Sequence, residues 1–298
     1  MNKFITVKEA ANKWNLSERS VRNYCALGRV EGAVFENGAW KIPEDSKKPV
    51  RANEKPHKNY LLERLREEKK HSIKGGIYHK LQIDLTYNSN HIEGSELTHD
   101  ETRFIFETRT IGLDGGKSAK VDDIIETINH FASIDRVIDF ANYQLSEPFI
   151  KELHKILKTG TSDANLPYFA VGDYKKRPNE VGDRETTLPN LVPQEMKALV
   201  DSYNQKDNHT FEEIVEFHVE FERIHPFQDG NGRVGRLIAF KECLKNNIVP
   251  FIILDKYKMY YYRGLKEWDN QKGYLLDTCL LGQDIIKEYL DYFRIKYK

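Results

Sequence analysis

His225-Pro226-Phe227-Gln228-Asp229-Gly230-Asn231-Gly232-Arg233-Val234-Gly235-Arg236 packs a histidine, a carboxylate, a glycine-rich turn and two arginines into twelve residues. Before it, Phe211-Glu212-Glu213-Ile214-Val215-Glu216-Phe217-His218-Val219-Glu220-Phe221 places apolar residues at helical spacing. After it, a helix that opens inside the segment runs on through Leu237-Ile238-Ala239-Phe240. Gly230 to Gly235 spells GxGxxG, the dinucleotide fingerprint, but that fingerprint needs a buried strand ahead of it and alternating strands around it. Here a helix precedes it, so the doubly wound reading is set aside for a turn between two helices.

Each residue type has a chemical use in such a turn. Gly230 and Gly232 let the backbone bend sharply and approach a ligand. Their amides lie at the start of the next helix, where free N–H groups and the helix dipole favour anions. Asn231 adds a neutral donor. Arg233 and Arg236, three apart, share a helix face and suit a bidentate grip on phosphates. Asp229 offers a hard oxygen to Mg2+ beside them. His225 is the group whose ordinary pKa suits a general base near neutrality. A capped loop with a surface histidine and solvated arginines is the plainer alternative, and the full set of groups in one window outweighs it.

Outward from this segment the pattern stays helical: Leu61–Glu68, Tyr78–Asn88, Glu101–Glu107, Val121–Ala141, Pro148–Leu157, Pro193–Tyr203, Arg233–Asn246 and Gln283–Tyr292 all read as helices. The stretch from Phe169 to Thr187 is polar, with Gly172, Pro178 and Gly182, and reads as a hairpin or an irregular loop. Residues 1–50 form a unit of their own: a helix at Val7–Trp14, Ser17 as an N-cap, a second helix over Glu18–Ala26 ended by Gly28, and two strand-like segments, Gly32–Phe35 and Trp40–Ile42. Asn37-Gly38 between those segments favours a tight hairpin. Helix, turn, helix and hairpin is the plan of a winged helix-turn-helix. Prolines and charges from Pro43 to Pro56 mark a linker, assigned to 51–57, and a helical domain is expected over 58–298.

The 298 residues suit two domains, and 39% hydrophobic with 31% charged residues is a globular balance. A formal net charge of zero gives no bulk case for a nucleic-acid or membrane partner, so any such case rests on a local patch. Cys25, Cys243 and Cys279 lie far apart without a CxxC, against a disulfide framework or a cysteine zinc site. The first residues hold no secretory apolar run, and no stretch of about 18 apolar residues predicts a membrane span. A reducing, cytoplasmic setting is expected.

The twelve-residue segment resembles the signature of the Fic family, H-x-F-x-[D/E]-G-N-G-R-x-x-R, and matches it at every specified position. The resemblance implies a mainly α, all-helical Fic fold with a small β-hairpin flap, transferring AMP from ATP to a Ser, Thr or Tyr hydroxyl of a target protein. It implies His225 as the base, Asp229 as the Mg2+ ligand, and Gly230, Asn231 and Gly232 as the cradle for the α and β phosphates. Arg233 then meets the β phosphate and Arg236 the γ phosphate, while Phe227 anchors the loop. The kinase-like branch of the family departs from this glycine pattern, which argues against a kinase.

Upstream, Ser89-Asn90-His91-Ile92-Glu93-Gly94 resembles the family's inhibitory motif, [S/T]-x-x-x-E-[G/N]. Ser89 and Glu93 are four apart and share a face if helical. The resemblance implies that Glu93 pairs with Arg236 and keeps the γ phosphate from seating, with an inhibitory helix near 79–94. In some relatives this glutamate orients a water for AMP removal, so a de-AMPylating hydrolase is one rival reading. Gly172 to Gly182 occupies the flap position, where a hairpin registers a target by strand addition. Tyr257, Tyr260, Tyr261 and Tyr262 cluster where relatives contact adenine, although such aromatics are more often core. His71, His79, His91 and His218 show no metal-ligand spacing, and Glu126 and Asn129 read as structural hydrogen-bonding residues.

Thr6-Val7-Lys8-Glu9-Ala10-Ala11 together with Gly28 to Ala33 resembles excisionase- or MerR-like winged helix-turn-helix modules. That likeness implies Arg19, Arg22 and Asn23 on a recognition helix and Lys41 on a wing as candidate DNA contacts. A docking domain without DNA binding is the even alternative. The second rival for the whole chain is therefore a DNA-binding regulator whose Fic core only binds nucleotide. Partners expected are ATP, a target protein of unstated identity, DNA through the N-terminal unit, and a second copy of the chain.

Overall fold

The computed structural model describes residues 4–26, 30, 32–36, 39–48, 59–112, 118–182 and 184–297. The expected linker at 51–57, the Asn37-Gly38 turn, and Gly28, Arg29 and Glu31 of the N-terminal likeness lie outside them. Contacts divide the chain into Met1–Lys58 and Asn59–Lys298.

In the first unit, β1 (Phe4–Ile5) leads into α1 (Val7–Trp14), α2 (Glu18–Ala26), β2 (Val34–Glu36) and β3 (Ala39–Pro43). The three strands form an antiparallel sheet in the order β1-β3-β2, with Ile5 opposite Ile42 and Val34 opposite Lys41. Thr6 starts α1 through a reciprocal cap with Glu9. Ala10, Ala11, Trp14, Val21, Cys25 and Ile42 make a small core. β1 escaped the sequence reading because two residues carry no alternation. Arg19, Arg22 and Asn23 are exposed on α2, and Lys41 is exposed on β3. Arg22 pairs with Glu18 at 2.6 Å and Lys41 with Glu36 at 2.6 Å, so two of the four candidate DNA contacts face carboxylates of their own unit.

The second unit runs α3 (Tyr60–Lys70), α4 (Ile77–Ile92), α5 (His99–Thr108), α6 (Val121–Phe140), α7 (Glu147–Lys158), β4 (Glu180–Val181), β5 (Arg184–Glu185), α8 (Val192–Tyr203), α9 (Phe211–Ile224), α10 (Asn231–Lys245), α11 (Lys258–Lys266) and α12 (Gly273–Tyr292). Short 3-10 turns occupy Asp163–Asn165 and Asp255–Tyr257. Local chemistry sets the starts: Thr98 with Glu101 and Thr210 with Glu213 form reciprocal caps on α5 and α9, and Ser146 caps α7. α10 is the central helix. Most of its 15 residues are buried, and it packs against α4, α6, α7 and α9. The main core gathers Leu153, Leu157, Phe217, Phe221, Phe227, Val234, Leu237 and Ile238, among others, around that helix.

Three elements differ from the sequence reading. α12 begins at Gly273 instead of Gln283, and Gly282 lies mid-helix against the Ile252 carbonyl. A Cβ there would sit 2.1 Å from that oxygen, so this glycine serves close approach. α11 was read only as a tyrosine cluster. The hairpin expected over 172–182 is paired only at its end: Glu180 faces Glu185 and Val181 faces Arg184, while the stretch from Gly172 to Asn179 is irregular. No described helix is long and apolar enough to cross a membrane.

Candidate active site

The site lies between the end of α9 and the start of α10. α9 stops at His225, which adopts a left-handed conformation at φ 52° and is followed by Pro226. A helix ends readily before proline, whereas a histidine at positive φ is strained and is held there by its surroundings. Phe227, fully buried, pins the turn by stacking on His154, with ring centroids 4.0 Å apart and planes 7° from parallel. Gly230, at φ 81°, opens α10 with no side-chain cap. Gly230 therefore supplies no side-chain acceptor to the first amides of α10, the arrangement that an anion-binding turn needs.

Asn231 is placed differently from the expectation. Its side chain is buried and closes a reciprocal pair with Phe227: the Phe227 N–H donates to Oδ1 at 2.8 Å, and Nδ2 donates to the Phe227 carbonyl at 2.9 Å. The amide side chain braces the loop, leaving the backbone N–H for any phosphate. Asn179 Nδ2 donates to the same carbonyl at 3.1 Å, and the Lys175 N–H donates to the Pro226 carbonyl at 2.9 Å. The loop before β4 is thus tied to the motif by its backbone.

Burial, with a further push from the Lys175 ammonium, holds the His225 pKa down to about 4, weakly opposed by the Glu222 carbonyl and by Glu93 and Asp229. The imidazole is neutral at pH 7 and free to accept a proton. Lys175 is itself buried. Its ammonium donates to Asn179 Oδ1 and Thr186 Oγ1, each at 2.7 Å, and desolvation lowers its pKa to about 8.

Arg233 and Arg236 do not point at a shared vacancy; each is engaged by protein carboxylates. Arg233, 4% exposed, pairs with Glu126 and reaches Asp229 Oδ2 at 3.1 Å. Lys158 Nζ meets the same Oδ2 at 2.8 Å. Burial alone would raise the Asp229 pKa, but Arg233 and Lys158 overcome it and hold the group at about 2. Arg236 donates from Nε to Ser89 Oγ at 3.0 Å, and from NH2 to the Ser89 carbonyl at 3.0 Å and to Glu93 Oε1 at 2.7 Å. Burial opposes its charge, yet the Glu93 carboxylate leaves its pKa raised. α4 ends at Ile92, so Glu93 reaches Arg236 from the helix cap and not from a helical face shared with Ser89. Gly232 makes room for it: a Cβ there would stand 2.2 Å from Glu93 Oε1.

Asp229 has the donor chemistry that a magnesium ion takes. Its side chain is half exposed, ionised and beside the anion-binding turn. Among the described residues no group of three or more His, Cys, Asp or Glu could hold a metal ion by itself. The other histidines have ordinary partners: His218 Nε2 and Tyr261 Oη lie 2.7 Å apart in the core, His79 meets Glu107, and His91 meets Asp255. Of the tyrosine cluster, Tyr261 is buried, Tyr262 donates to the Ile92 carbonyl at 3.0 Å, and Tyr260 is exposed.

Residues 144–242 match the Fic/DOC family. The matched span holds His225, Asp229, Arg233 and Arg236, while Ser89, Glu93 and Glu126 lie upstream of it. The protein adenylyltransferase Fic of Drosophila persimilis is 28% identical over 189 residues, covering 60% of this chain and 35% of that protein. The chain spans about a third of the length of the curated relatives it matches. A Fic domain containing signaling protein from Bacteroides thetaiotaomicron superposes with a TM-score of 0.58 at 26% identity, covering 79% of this chain and 91% of that one. A Fic family protein from Desulfovibrio desulfuricans superposes at 0.59 with 20% identity, over 80% of this chain and 75% of its own, a likeness of fold.

Sequence reasoning missed Lys158 and Lys175. Lys158 closes an amphipathic helix, where a basic residue is ordinary, and Lys175 sits in a polar loop. Only the folded chain shows that both ammonium groups are buried. Glu126 was read as structural, and the structure makes it the carboxylate shared by Arg233 and Lys158.

Proposed function

We propose that this chain is a protein adenylyltransferase, transferring AMP from ATP to a Ser, Thr or Tyr hydroxyl of a target protein, and that Glu93 holds it in a restrained state. The observation that carries the reading is a half-buried, neutral His225 beside the uncapped start of α10 and an ionised Asp229. The Fic adenylyltransferases to which the chain is similar support the choice of chemistry.

His225 takes the proton of the incoming hydroxyl. The hydroxyl oxygen attacks the α phosphorus, the bond from that phosphorus to the bridging oxygen breaks, and pyrophosphate leaves. The amides at the start of α10 hold the phosphates, and Arg233 and Arg236 offset the charge that develops on the leaving group. Asp229 would hold Mg2+, which supplies charge neutralisation to the phosphate oxygens when bound. Glu93 opposes this by occupying Arg236.

The test uses ATP labelled at the α phosphate with the native chain, Glu93→Gly and His225→Ala, reading label on the chain itself and on lysate proteins. Strong labelling in Glu93→Gly, weak labelling in the native chain and none in His225→Ala support both transfer and restraint. Labelling by His225→Ala at the level of the others would overturn the base, and no covalent label in any variant would overturn the transferase.

A further inference from the structure

Lys158 is the last residue of α7 and is 2% exposed. Its ammonium contacts three carboxylates: Glu126 at 2.5 Å, Asp229 at 2.8 Å and Asp163 at 3.2 Å. The position is over-determined. Asn129 Nδ2 donates to the Leu157 and Thr159 carbonyls at 2.9 and 2.8 Å on either side of it, and Thr161 Oγ1 donates to the Lys158 carbonyl at 2.9 Å. The stem passes beneath Gly230, where a Cβ would lie 3.7 Å from Lys158 Cδ. The ammonium is therefore fixed below the anion-binding turn, unable to reach a ligand in solvent. The carboxylate it holds, by contrast, is half exposed.

We propose that Lys158 is a positioning residue that loads Asp229 with a protein cation, so that a divalent cation enters together with the nucleotide and not ahead of it. This rests on the reading of Asp229 as the metal ligand. Asp229 Oδ2 already faces two cations, Lys158 at 2.8 Å and Arg233 at 3.1 Å. A free divalent ion approaching the remaining oxygen is repelled by both and gains little from a carboxylate whose charge is shared. The complex of the same ion with a nucleoside triphosphate is net negative. It meets attraction from both cations and from the amides at the start of α10. The paired lysine also fixes the rotamer of the carboxylate, so the ligand is in place when the complex arrives.

The test measures Mn2+ binding to the nucleotide-free full chain by electron paramagnetic resonance. Lys158→Met is expected to bind Mn2+ about tenfold or more tightly than the native chain, the scale of one charge removed beside a carboxylate. Adding Asp229→Asn to that variant is expected to abolish the gain. Native Mn2+ affinity equal to that of Lys158→Met would overturn the proposal. Should Lys158→Met not fold, the double variant Lys158→Met/Glu126→Gln removes the ammonium and one of its carboxylates together and reads the same change. If Mn2+ binding is indifferent to Asp229→Asn in every background, the metal ligand is misassigned and the functional reading fails, an outcome distinct from a silent Lys158. Repeating the titration with Mn2+ and ATP together should give native and Lys158→Met affinities within about threefold, since the triphosphate then carries the ion.

Discussion

Removing the Glu93 carboxylate is the perturbation whose size follows most directly from the geometry. Arg236 is 10% exposed and Glu93 28% exposed at the side chain, and their N···O distance is 2.7 Å. The pair is shielded enough to count as a charge-assisted bond, worth about 2 kcal/mol net within the usual 1.5–3 range. A conformational bias of about 2 kcal/mol leaves roughly one molecule in thirty with Arg236 free, so Glu93→Gly should raise kcat/KM for ATP about thirtyfold. Glu93→Gln keeps one hydrogen bond and loses the charge, so it should give an intermediate rise of about fivefold. Ser89→Ala, which removes the bond to Arg236 Nε but leaves the Ser89 carbonyl in place, should give a smaller rise of the same sign.

The assay is the initial rate of α-labelled AMP incorporation against ATP concentration, with melting temperature as the control for folding. A rise below about tenfold in Glu93→Gly and below about threefold in Glu93→Gln, with unchanged melting, would refute the restraint, because about 1.5 kcal/mol, the least a bond of this kind supplies, corresponds to roughly thirteenfold. A loss of activity in both would refute it differently, by making Glu93 a working group. That is the outcome a hydrolytic use of the same residue requires.

Three further expectations follow from burial. With the His225 pKa near 4, the acid limb of kcat/KM should fall near pH 4, well below the ordinary histidine value of 6.5; Lys175→Met should move it upward, and an unmoved limb in the pH–rate profile would remove Lys175 from that role. His130, His154 and His218 are buried with pKa values pushed down to about 3. Each stays neutral in the fold while its unfolded counterpart gains a proton below about 6.5, so melting temperatures should drop steeply as pH falls from 6.5 toward 4 and flatten below about 3. Glu222 has the opposite sign. Burial raises its pKa to about 8, so stability is lost as pH rises from about 4.5 to 8, and Glu222→Gln should stabilise the chain by about 2 kcal/mol at pH 7 in denaturant titration.

The helices were legible because their apolar periods are local. The caps that Thr98 forms with Glu101 and Thr210 with Glu213 went unread, so α5 was placed from Glu101 although it begins at His99. The motif was legible because its functional groups fall in one window of twelve residues that resembles the Fic signature. What stayed hidden depends on distance along the chain. Lys158 and Asp229 are 71 residues apart, and Glu126 and Arg233 are 107 apart. No period or spacing reveals that these four meet. Asn231 was misjudged for the same reason. Its type suggested a donor to a ligand, while the turn places Phe227 within its reach and commits both ends of its amide. The first turns of α12 were missed as well, and the close approach of the Ile252 backbone that accounts for Gly282 within that helix is visible only in the fold.

The two arginines share a logic that links the site to its restraint. Buried guanidinium groups cannot stand unpaired without a large desolvation cost, so a pocket built for phosphates must supply carboxylates while the phosphates are away. Glu126 and Asp229 serve Arg233 in that way, and Glu93 serves Arg236. The partners differ in what they can give up. Glu126 is largely buried and also holds Lys158, so Arg233 keeps its carboxylate when a ligand arrives. Glu93 caps a helix end, is more exposed and pairs with Arg236 alone of the arginines in the motif, so it is the group better placed to swing away. On the proposed reading, the need to pair two buried guanidinium groups would produce a restraint at Arg236 and not at Arg233, with no added element beyond a carboxylate on the more exposed side of the site.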